Sequence, residues 1–344
     1  KTLEIYENLT QKYEIGNVFC NEDYEPYAIK RDQDIKDFLA SKNINFYQFK
    51  DQVIFQKDEI VKADGKPYTV YTPYSKQWLS KYDAQNLHFF DSEKTLDNLL
   101  NIEKQNITLE HIGFKKTNYL FEPPKINLEI LEKYHETRNL PTKETSQMSV
   151  HLRFGTISTR KLVKLASKLN DNTYLKELIW REFFMQILWH FPKVIHHSFK
   201  EKYDNIAWEN NEELFQKWCE GKTGYPIVDA GMRELNETGL MHNRVRMVCA
   251  SFLTKHLLTD WRIGEAYFAE KLMDYDLSAN NGNWQWSAGS GCDAAPYFRV
   301  FNPEEQQKKF DPKFKKMGKR IWNFDLSKAN NRTQICQRTS FKKV

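Results

Sequence analysis

The sequence has no run of apolar residues long enough to cross a membrane. Its mean hydropathy is −0.73, and a membrane helix needs about 20 predominantly apolar residues in a row. Residues 1–20 also lack the basic start and apolar stretch of a secretory signal peptide. We therefore expect a cytoplasmic protein.

Cysteine is scarce, with five in 344 residues and none in a CxxC pair. This argues for a reducing compartment and against a disulfide framework or a structural zinc site. The nine histidines form no HExxH motif, and the adjacent His196 and His197 would not share a helix face. We expect no metal site. GxGxxG, P-loop and GxSxG motifs are also absent, so a dinucleotide would not be held in the Rossmann manner.

The net charge of +5 comes from one end of the chain. Residues 301–344 hold 12 basic and 4 acidic side chains, whereas residues 121–300 hold 23 of each. Overall charge therefore does not by itself predict nucleic-acid binding, which needs positive charge gathered on one face.

Aromatic residues are abundant at 14%, with nine Trp. They indicate either a core rich in large rings or a stacking site for a cofactor or base.

The length predicts about two domains. In residues 1–90, strand patterns at 15–20, 52–62 and 68–72 and a helix at 31–42 predict an α/β domain. Residues 91–125 are polar, end in Pro123-Pro124 and read as a linker. Helical periodicity then predicts an all-α domain over 126–320, followed by a basic tail at 321–344. The predicted helices cover 126–139, 157–169, 173–191, 211–220, 226–237, 243–258 and 263–273.

Several segments carry candidate site residues, each with a plainer alternative. Glu177, Trp180 and Arg181 share one helix face, which suits an exposed ion pair with packed rings or a base-stacking site with polar groups. The acid-free run 151–170 suits a solvated helix face or phosphate contacts. Residues 145–149 could cap a helix or cradle a phosphate at its start.

Two further segments, 241–247 and 274–286, also carry candidate site residues. In the first segment the plain interpretation is a helix start capped by Asn243. The second contains three Asn and a Gly, which indicate tight or left-handed backbone, followed by Trp284 and Trp286. It is either an ordinary loop or the binding site of a planar heteroaromatic cofactor.

At these residues the sequence resembles the DNA photolyase/cryptochrome family, and within it the bacterial cyclobutane-dimer photolyases. The resemblance runs from about 134 to 310. It is carried by ELIWREFF (177–184), KTGYPIVDAGMREL (222–235), MHNRVRM (241–247), DYDLSANNGNWQW (274–286) and CDAAPYFRVFNP (292–303). Residues 15–90, including NEDYEPYAIKRD (21–32), resemble the later part of the family's N-terminal α/β domain. The resemblance therefore implies an incomplete parallel sheet followed by an all-α FAD-binding domain.

The resemblance also implies a U-shaped FAD and residue roles around it. Asn280 would face flavin N5; Asn at this position goes with repair, whereas plant cryptochromes usually carry Asp and animal ones Cys. The other implied cofactor-binding residues are Tyr134, Thr145, Ser146, Gln147, Met148, Ser149, Tyr174, Asp274, Tyr275 and Asp276. An electron-transfer chain to the surface would consist of Trp284, Trp261 and Trp208.

The implied substrate is DNA that contains a pyrimidine dimer. Glu177 and Trp180 would hold the lesion, and Glu177 would stabilise the radical anion. Asn243, Met247, Trp286 and Gln306 would line its cavity, while Arg138, Arg181 and Arg244 would contact DNA. The implied reaction is light-driven repair of cyclobutane dimers by electron transfer from excited, reduced, anionic FAD, carried out by a monomer.

Other functions within the family fit the same residues, and the sequence departs from the family pattern at both ends. A cryptochrome-type photoreceptor without repair activity is the main alternative. A (6-4) photolyase is disfavoured because that subgroup generally uses a pair of histidines in its lesion pocket, and position 243 is Asn. The resemblance implies an antenna chromophore of the folate or deazaflavin type. However, the family's opening strand and helix are absent before Lys1, and residues 317–344 diverge.

Overall fold

The computed structural model describes residues 2–87, 89–100, 106–115, 122–294 and 296–312. The basic tail predicted at 321–344 lies outside these residues. Within them the chain forms a small α/β unit followed by a helical region, as the sequence predicts.

The α/β unit contains two parallel strands joined by a helix. Its elements are α1 (Thr2–Lys12), β1 (Asn17–Asn21), α2 (Pro26–Ala40) and β2 (Asn45–Phe49). Val18 pairs with Phe46 in the parallel ladder, and Ile35 and Leu39 of α2 lie buried beside Ile44 in a small core. The predicted parallel sheet is therefore confirmed, although β2 was not predicted and α2 begins five residues earlier than expected.

The strand predictions for 52–62 and 68–72 are wrong. This stretch contains a 3₁₀ turn at Lys57–Glu59, and α3 (Tyr71–Lys81) follows it. The backbone N–H groups of Ile54 and Phe55 donate to the carboxylate of Glu182 instead of to a neighbouring strand. The apolar side chains that suggested strands pack against the helical region, in one core with α8 (Thr173–His190).

The segment predicted as a linker, 91–125, contains 3₁₀ turns at Ser92–Asn98 and Glu110–Ile112. Residues 101–105 and 116–121 of this segment lie outside the described part of the chain. The domain boundaries at 90 and 125 stay predictions.

The helical region surrounds α8, in which eleven residues are buried. Each predicted helix after residue 126 has a counterpart. The elements are α4 (Leu128–Glu132), α5 (Tyr134–Thr137), α6 (Met148–Arg153), α7 (Thr159–Ala166), α8, α9 (Glu212–Cys219), α10 (Pro226–Thr238), α11 (Asn243–Lys255), α12 (Trp261–Lys271), α13 (Leu277–Ala288) and α14 (Pro303–Phe310). Pro226 in the first turn of α10 and Gly239 at its left-handed end lie where the sequence predicts.

The Asn-rich segment 274–286 is mostly helical, contrary to the prediction of tight or left-handed turns. Asp276 caps α13 by accepting a hydrogen bond from the backbone N–H of Ala279. No residue of 274–286 has a positive φ, and the left-handed residue is Gly289 after the helix. The predicted cap of α11 is also shifted by one residue, because His242 occupies the cap position and Asn243 begins the helix.

Two glycines allow α13 to pack closely against α8 and α12. A Cβ at Gly282 of α13 would lie 2.1 Å from Cδ1 of Phe184 on α8. A Cβ at Gly264 of α12 would lie 2.3 Å from Cη2 of Trp284 on α13. Contacts this short leave room only for hydrogen, so both glycines fix how closely α13 packs on its neighbours.

In the described ranges, no helix is long and apolar enough to cross a membrane.

Candidate active site

A cleft that is partly open to solvent lies between α11, α12 and α13. It brings together seven residues that the sequence proposed for cofactor, lesion or electron transfer. They are Asn243, Met247, Asp274, Tyr275, Asp276, Asn280 and Trp284.

A fixed ion pair forms part of the cleft wall. Nη2 of Arg246 lies 2.8 and 3.1 Å from the two carboxylate oxygens of Asp274. Nε of Arg246 donates to the carbonyl oxygen of Met241 at 2.8 Å, which holds the guanidinium in place. The Asp274 side chain is only 4% exposed, so this pair is held away from bulk water. It offers both a donor and an acceptor to the polar edge of a planar ligand. Arg246 is not among the site residues predicted from the sequence.

Asn280 is held by Glu265, which lies on α12. The amide Nδ2 donates to Oε1 of Glu265 at 2.9 Å and to the backbone oxygen of Glu265 at 3.3 Å. The hydroxyl of Tyr275 donates to the same Oε1 at 3.4 Å. Burial raises the pKa of Glu265, and the hydrogen bonds from Asn280 and Tyr275 oppose this rise. Glu265 is thus a further site residue that the sequence analysis missed.

Asp276 links the cleft to the α/β unit. Its carboxylate caps α13 through the N–H of Ala279 and also accepts from the Ser278 hydroxyl. Arg153 of α6 lies 4.0 Å from Asp276 and 3.0 Å from Glu25, which precedes α2. Arg153 therefore bridges a carboxylate at the cleft and one in the α/β unit.

A second group of predicted residues gathers at the start of α8, and we call it the Arg138–Glu177 cluster. Nη1 of Arg138 and Oε1 of Glu177 lie 2.5 Å apart. Burial raises the pKa of Glu177, whereas the Arg138 guanidinium opposes this rise. The cluster also contains Tyr134, Ser146, Tyr174 and Arg244.

Tyrosine rings connect this cluster to the segment 145–149. The rings of Tyr134 and Tyr174 meet edge to face at 5.1 Å, and the Tyr174 hydroxyl donates to Oγ of Ser146 at 3.2 Å. Gln147 has a left-handed φ of 53° just before α6 begins at Met148. The predicted residues Thr145 and Ser149 lie in the same segment. The chain thus places this segment beside the two predicted tyrosines.

Within the described part of the chain, Arg244 of this cluster and Gln306 of α14 each carry a buried polar atom without a protein partner. Nη2 of Arg244 donates to Oδ1 of Asn139 at 2.6 Å, and its guanidinium lies 4.6 Å from the centre of the Phe310 ring. Among the described residues, however, Nε of Arg244 and Oε1 of Gln306 have no hydrogen-bond partner. Buried polar atoms are normally paired, so unpaired ones at this place suit a site that receives a polar ligand.

Trp180 is half-buried and held on one face by another ring. The Tyr71 ring stacks on it at 3.6 Å with an interplanar angle of 6°, and Phe184 stacks on it at 5.5 Å. The Tyr71 hydroxyl donates to the backbone oxygen of Lys176 at 2.8 Å, which fixes the stacking ring. The predicted Trp286 is also half-buried and lies 6.3 Å from the Phe301 ring.

Arg181 does not join the other predicted DNA-contacting residues. Its Nη1 donates to the backbone oxygen of Gln52 at 2.7 Å, and its Nη2 donates to the Gln52 side chain at 3.3 Å. Burial lowers the pKa of Arg181. This placement favours a role in fastening the segment before α3 to α8 over the predicted contact with DNA.

The three tryptophans predicted to conduct electrons lie in one apolar core. Trp284 and Trp261 are buried there, and Trp208 packs against it while half-buried. A fourth, Trp218, is also buried in this core, with its ring 6.2 Å from that of Trp284. Trp218 was not predicted as a site residue, because neither its spacing nor the resemblance points to it.

Comparison with known proteins identifies the family. The model for the FAD binding domain of DNA photolyase matches residues 174–322, and the DNA photolyase model matches residues 1–92. The deoxyribodipyrimidine photo-lyase of Vibrio cholerae is 38% identical over 316 residues, which cover 86% of this chain and 67% of that protein. This chain belongs to the DNA photolyase family. It spans about two thirds of the length of this photo-lyase.

Solved photolyase structures share its fold. The class III photolyase of Agrobacterium tumefaciens is 33% identical with a TM-score of 0.78, covering 92% of this chain and 70% of that one. The archaeal photolyase of Sulfolobus tokodaii, solved with two FAD molecules, is 33% identical with a TM-score of 0.74, covering 97% and 76%. The predictions of family, fold class and enzyme class are therefore confirmed, and the cleft lies within a photolyase-type FAD-binding domain.

The cleft residues fit an isoalloxazine. The Arg246–Asp274 pair supplies a donor and an acceptor for the polar edge of the ring system, and Asn280 supplies an amide. Phe268 and Trp284 supply an apolar wall for the hydrocarbon part. This combination of one charged pair, one amide and aromatic walls suits the polar edge and the apolar body of a flavin ring.

Proposed function

We propose that this photolyase repairs cyclobutane pyrimidine dimers in DNA by light-driven electron transfer from reduced FAD held in the cleft. One observation carries the proposal: α11 both lines the cleft and reaches the Arg138–Glu177 cluster. Asn243 and Met247 of α11 line the cleft, and Arg244 on the same helix hydrogen-bonds Asn139, next to Arg138. A flavin in the cleft would therefore lie beside the residues proposed to hold the lesion.

The residues proposed to hold FAD lie in both parts of the site. Asn280 and the Arg246–Asp274 pair would bind the flavin ring, with Tyr275 and Asp276 beside it. Tyr134 and the segment 145–149 would contact the phosphates and neighbouring atoms, and Tyr174 would line the flavin pocket. When bound, FAD absorbs the photon and supplies the electron that opens the cyclobutane ring.

Glu177 and Trp180 would hold the extruded dimer. Extrusion costs a few kcal/mol and costs least for a base that is already poorly stacked. Because Tyr71 holds one face of Trp180, the indole is ordered before the substrate arrives, which reduces the entropy lost on binding. Glu177 would accept hydrogen bonds from the base edge in a partly dry site, where such bonds are stronger than in water. Asn243, Met247, Trp286 and Gln306 would complete the cavity.

Arg138 and Arg244 would contact the DNA backbone around the lesion. Burial lowers the pKa of Arg244, and the positive charge of Arg138 lowers it further. One carboxylate, Glu177, pairs with Arg138, which leaves the trio of side chains with a net positive charge. A phosphate is the ligand that such a pair of guanidiniums binds well.

Trp284, Trp261 and Trp208 would carry electrons from the surface to the flavin, since they share one core. A second, light-harvesting chromophore, a monomeric state and a cytoplasmic location remain predictions from the sequence. The cryptochrome alternative shares the cleft and the tryptophans but predicts no dimer repair.

A blue-light repair assay tests the proposal. The protein is loaded with FAD, reduced, mixed with an oligonucleotide containing one thymine dimer and illuminated. We expect dimer loss that requires light, and Glu177→Gln should keep FAD while lowering repair. Dimer affinity should fall about tenfold or more, since a hydrogen bond to a charged group contributes about 1.5–3 kcal/mol. Glu129→Gln, which removes an exposed carboxylate paired with Lys133, is the matched control.

FAD binding without any dimer loss by the unmodified protein would reject repair and support the cryptochrome alternative. Equal repair by Glu177→Gln and Glu129→Gln would reject the assigned role of Glu177 alone.

A further inference from the structure

The ammonium group of Lys255, the last residue of α11, bonds two carbonyl oxygens from different parts of the chain. Nζ of Lys255 donates to the carbonyl oxygen of Ala288 at the end of α13, where a helix favours a cation. It also donates to the carbonyl oxygen of Tyr297 at 3.1 Å. Lys255 therefore joins the end of α13 to the segment 296–301, which leads to α14. Within the described ranges, no other hydrogen bond joins this segment to a helix.

The ammonium is half-buried and has no acidic partner. Burial lowers the pKa of Lys255 from 10.5 to about 8, and no carboxylate of the described residues offsets this effect. α13 contains no acidic or basic residue. Burial also lowers the pKa of His256 and raises that of Cys292 to about 12. The other ionisable side chains on the segments around Lys255 are Asp293, Tyr297, Arg299 and Lys200. A rise in pH through about 8 therefore removes the charge of Lys255.

The segment 296–301 adjoins two residues proposed to line the lesion cavity. The ring of Phe301, at its end, lies 6.3 Å from the ring of Trp286. α14 begins two residues later and carries Gln306. The positions of Phe301 and of the start of α14 therefore depend on how firmly Lys255 holds the segment.

The chain just before this segment is fastened separately. The carboxylate of Asp293 accepts a hydrogen bond from the backbone N–H of Tyr71 at 3.0 Å, and the Tyr71 ring stacks on Trp180. Asp293 and Lys255 are thus two separate anchors, and each leads to a residue proposed to contact the lesion.

We propose that the ammonium of Lys255 is a positioning group that holds the segment 296–301 against the lesion cavity, so that selective binding of a pyrimidine dimer depends on its charge. The inference rests on the proposed function, in which Trp286 and Gln306 line that cavity. A charged ammonium forms stronger hydrogen bonds to carbonyl oxygens than a neutral amine does. When the charge is lost, the segment is held less firmly, and ordering it on substrate binding costs affinity.

Equilibrium binding in the dark tests this role without measuring repair. Two duplexes of one sequence are compared, one with a single thymine dimer and one undamaged. Lys255→Met should weaken binding of the dimer duplex about tenfold, the effect of losing a hydrogen bond to a charged group. It should change binding of the undamaged duplex by less than about threefold. Lys217→Met is the matched control, because it removes an exposed charge paired with Glu213, and it should bind both duplexes like the parent.

A double-variant cycle shows whether Lys255 acts through the segment. In a Phe301→Ala background the ring contact with Trp286 is already lost, so Lys255→Met should have little further effect on dimer binding. Circular dichroism and retained FAD absorbance check that each variant is folded.

The pH dependence separates the charge of Lys255 from its bulk. The preference of the parent for the dimer duplex should fall between about pH 7 and about pH 9.5, because the proton on Lys255 is lost in this range. Lys255→Arg stays charged throughout and should keep a constant preference over the same range.

An equal effect of Lys255→Met with and without Phe301 would overturn the inference, and so would a parent whose preference for the dimer stays constant with pH or falls in parallel with that of Lys255→Arg. A parent that binds both duplexes equally at pH 7 would instead reject lesion binding itself, and the inference would fail with the proposed function. That result is distinguishable, since it is seen in the parent alone.

Discussion

Gly282→Ala should disturb repair by separating the two helices that carry the flavin and lesion residues. Gly282 lies on α13 with Asn280 and Trp284, and its missing side chain faces Phe184 of α8, the helix that carries Trp180. The new Cβ would lie 2.1 Å from Cδ1 of Phe184, whereas ordinary contact begins at about 3.4 Å. The ring or the helix must therefore move by about 1.3 Å (3.4 − 2.1). Phe184 is buried and stacks on Trp180, so the movement reaches the lesion site.

The size of the effect follows from two opposing contributions. Overpacking of a buried site costs about 1–3 kcal/mol, and an overlap this large belongs at the upper end. Replacing Gly by Ala inside a helix gains about 1 kcal/mol from helix propensity. We expect a net loss of about 2 kcal/mol in the free energy of unfolding. A displacement near 1 Å in the site lowers repair further, by up to about a hundredfold.

Urea unfolding and the blue-light repair assay measure the two effects. Gly16→Ala is the control, because no atom lies within 4 Å of a Cβ there, and it should change stability by less than about 0.5 kcal/mol. In a Phe184→Ala background the clash is absent, so Gly282→Ala should be neutral or stabilising. A Gly282→Ala protein that is more stable than the parent and repairs normally would refute the reasoning.

Three further changes give separable results. Trp284→Phe should block light-driven reduction of oxidised flavin but spare repair by pre-reduced enzyme. The control Trp189→Phe should leave both photoreduction and repair unchanged. Persistent photoreduction in Trp284→Phe would count against the chain of tryptophans. Arg246→Met should weaken FAD binding in a titration, since Asp274 would be left buried without its cation; unchanged affinity would contradict the assigned ion pair. Glu182→Ala should lower the free energy of unfolding by about 3 kcal/mol or more in urea at pH 4.5, where the contribution of this group is still present, because three N–H donors lose their acceptor. A loss below about 1 kcal/mol at that pH would contradict this.

The Glu182 effect should also depend on pH in a fixed direction. Burial raises the pKa of Glu182 from 4.5 to about 7. Between these values the folded protein binds the proton more tightly than the unfolded chain, so the stability that this group contributes is present below pH 4.5 and is lost as the pH rises through 7. The stability difference between the parent and Glu182→Ala should shrink by at most about 3 kcal/mol over this range. A difference that grows with pH would contradict the direction of the shift.

The helices of the catalytic region could be predicted from the sequence because apolar residues recur at helical spacing and caps mark the ends. The prediction failed where the same residue types occur in more than one kind of secondary structure. The Asn residues of α13 suggested turns, yet the Asp276 cap and close packing through Gly282 make the segment helical. The β-branched and aromatic residues of 52–62 suggested strands, but the backbone N–H groups of Ile54 and Phe55 donate to Glu182, which is more than 100 residues away.

The resemblance supplied most of the candidate site, but not its internal connections. Nothing in the sequence indicates that Arg138 pairs with Glu177, or that Glu265 holds Asn280, because these contacts depend on how separate helices pack. Arg181 lies on α8 as predicted, but its guanidinium donates to Gln52 rather than pointing toward the other predicted DNA-contacting residues. A residue's place in a motif gives its helix face, whereas its partner depends on the rest of the fold.

The most direct measurement of the central claim is the absorption spectrum of the purified chain after incubation with FAD, recorded with the unmodified protein and with Arg246→Met. A flavin seated against the Arg246–Asp274 pair predicts a structured band of bound FAD that survives gel filtration with about one flavin per chain, and that is weakened in the variant. Loss of all flavin from the unmodified chain on the column would contradict the account.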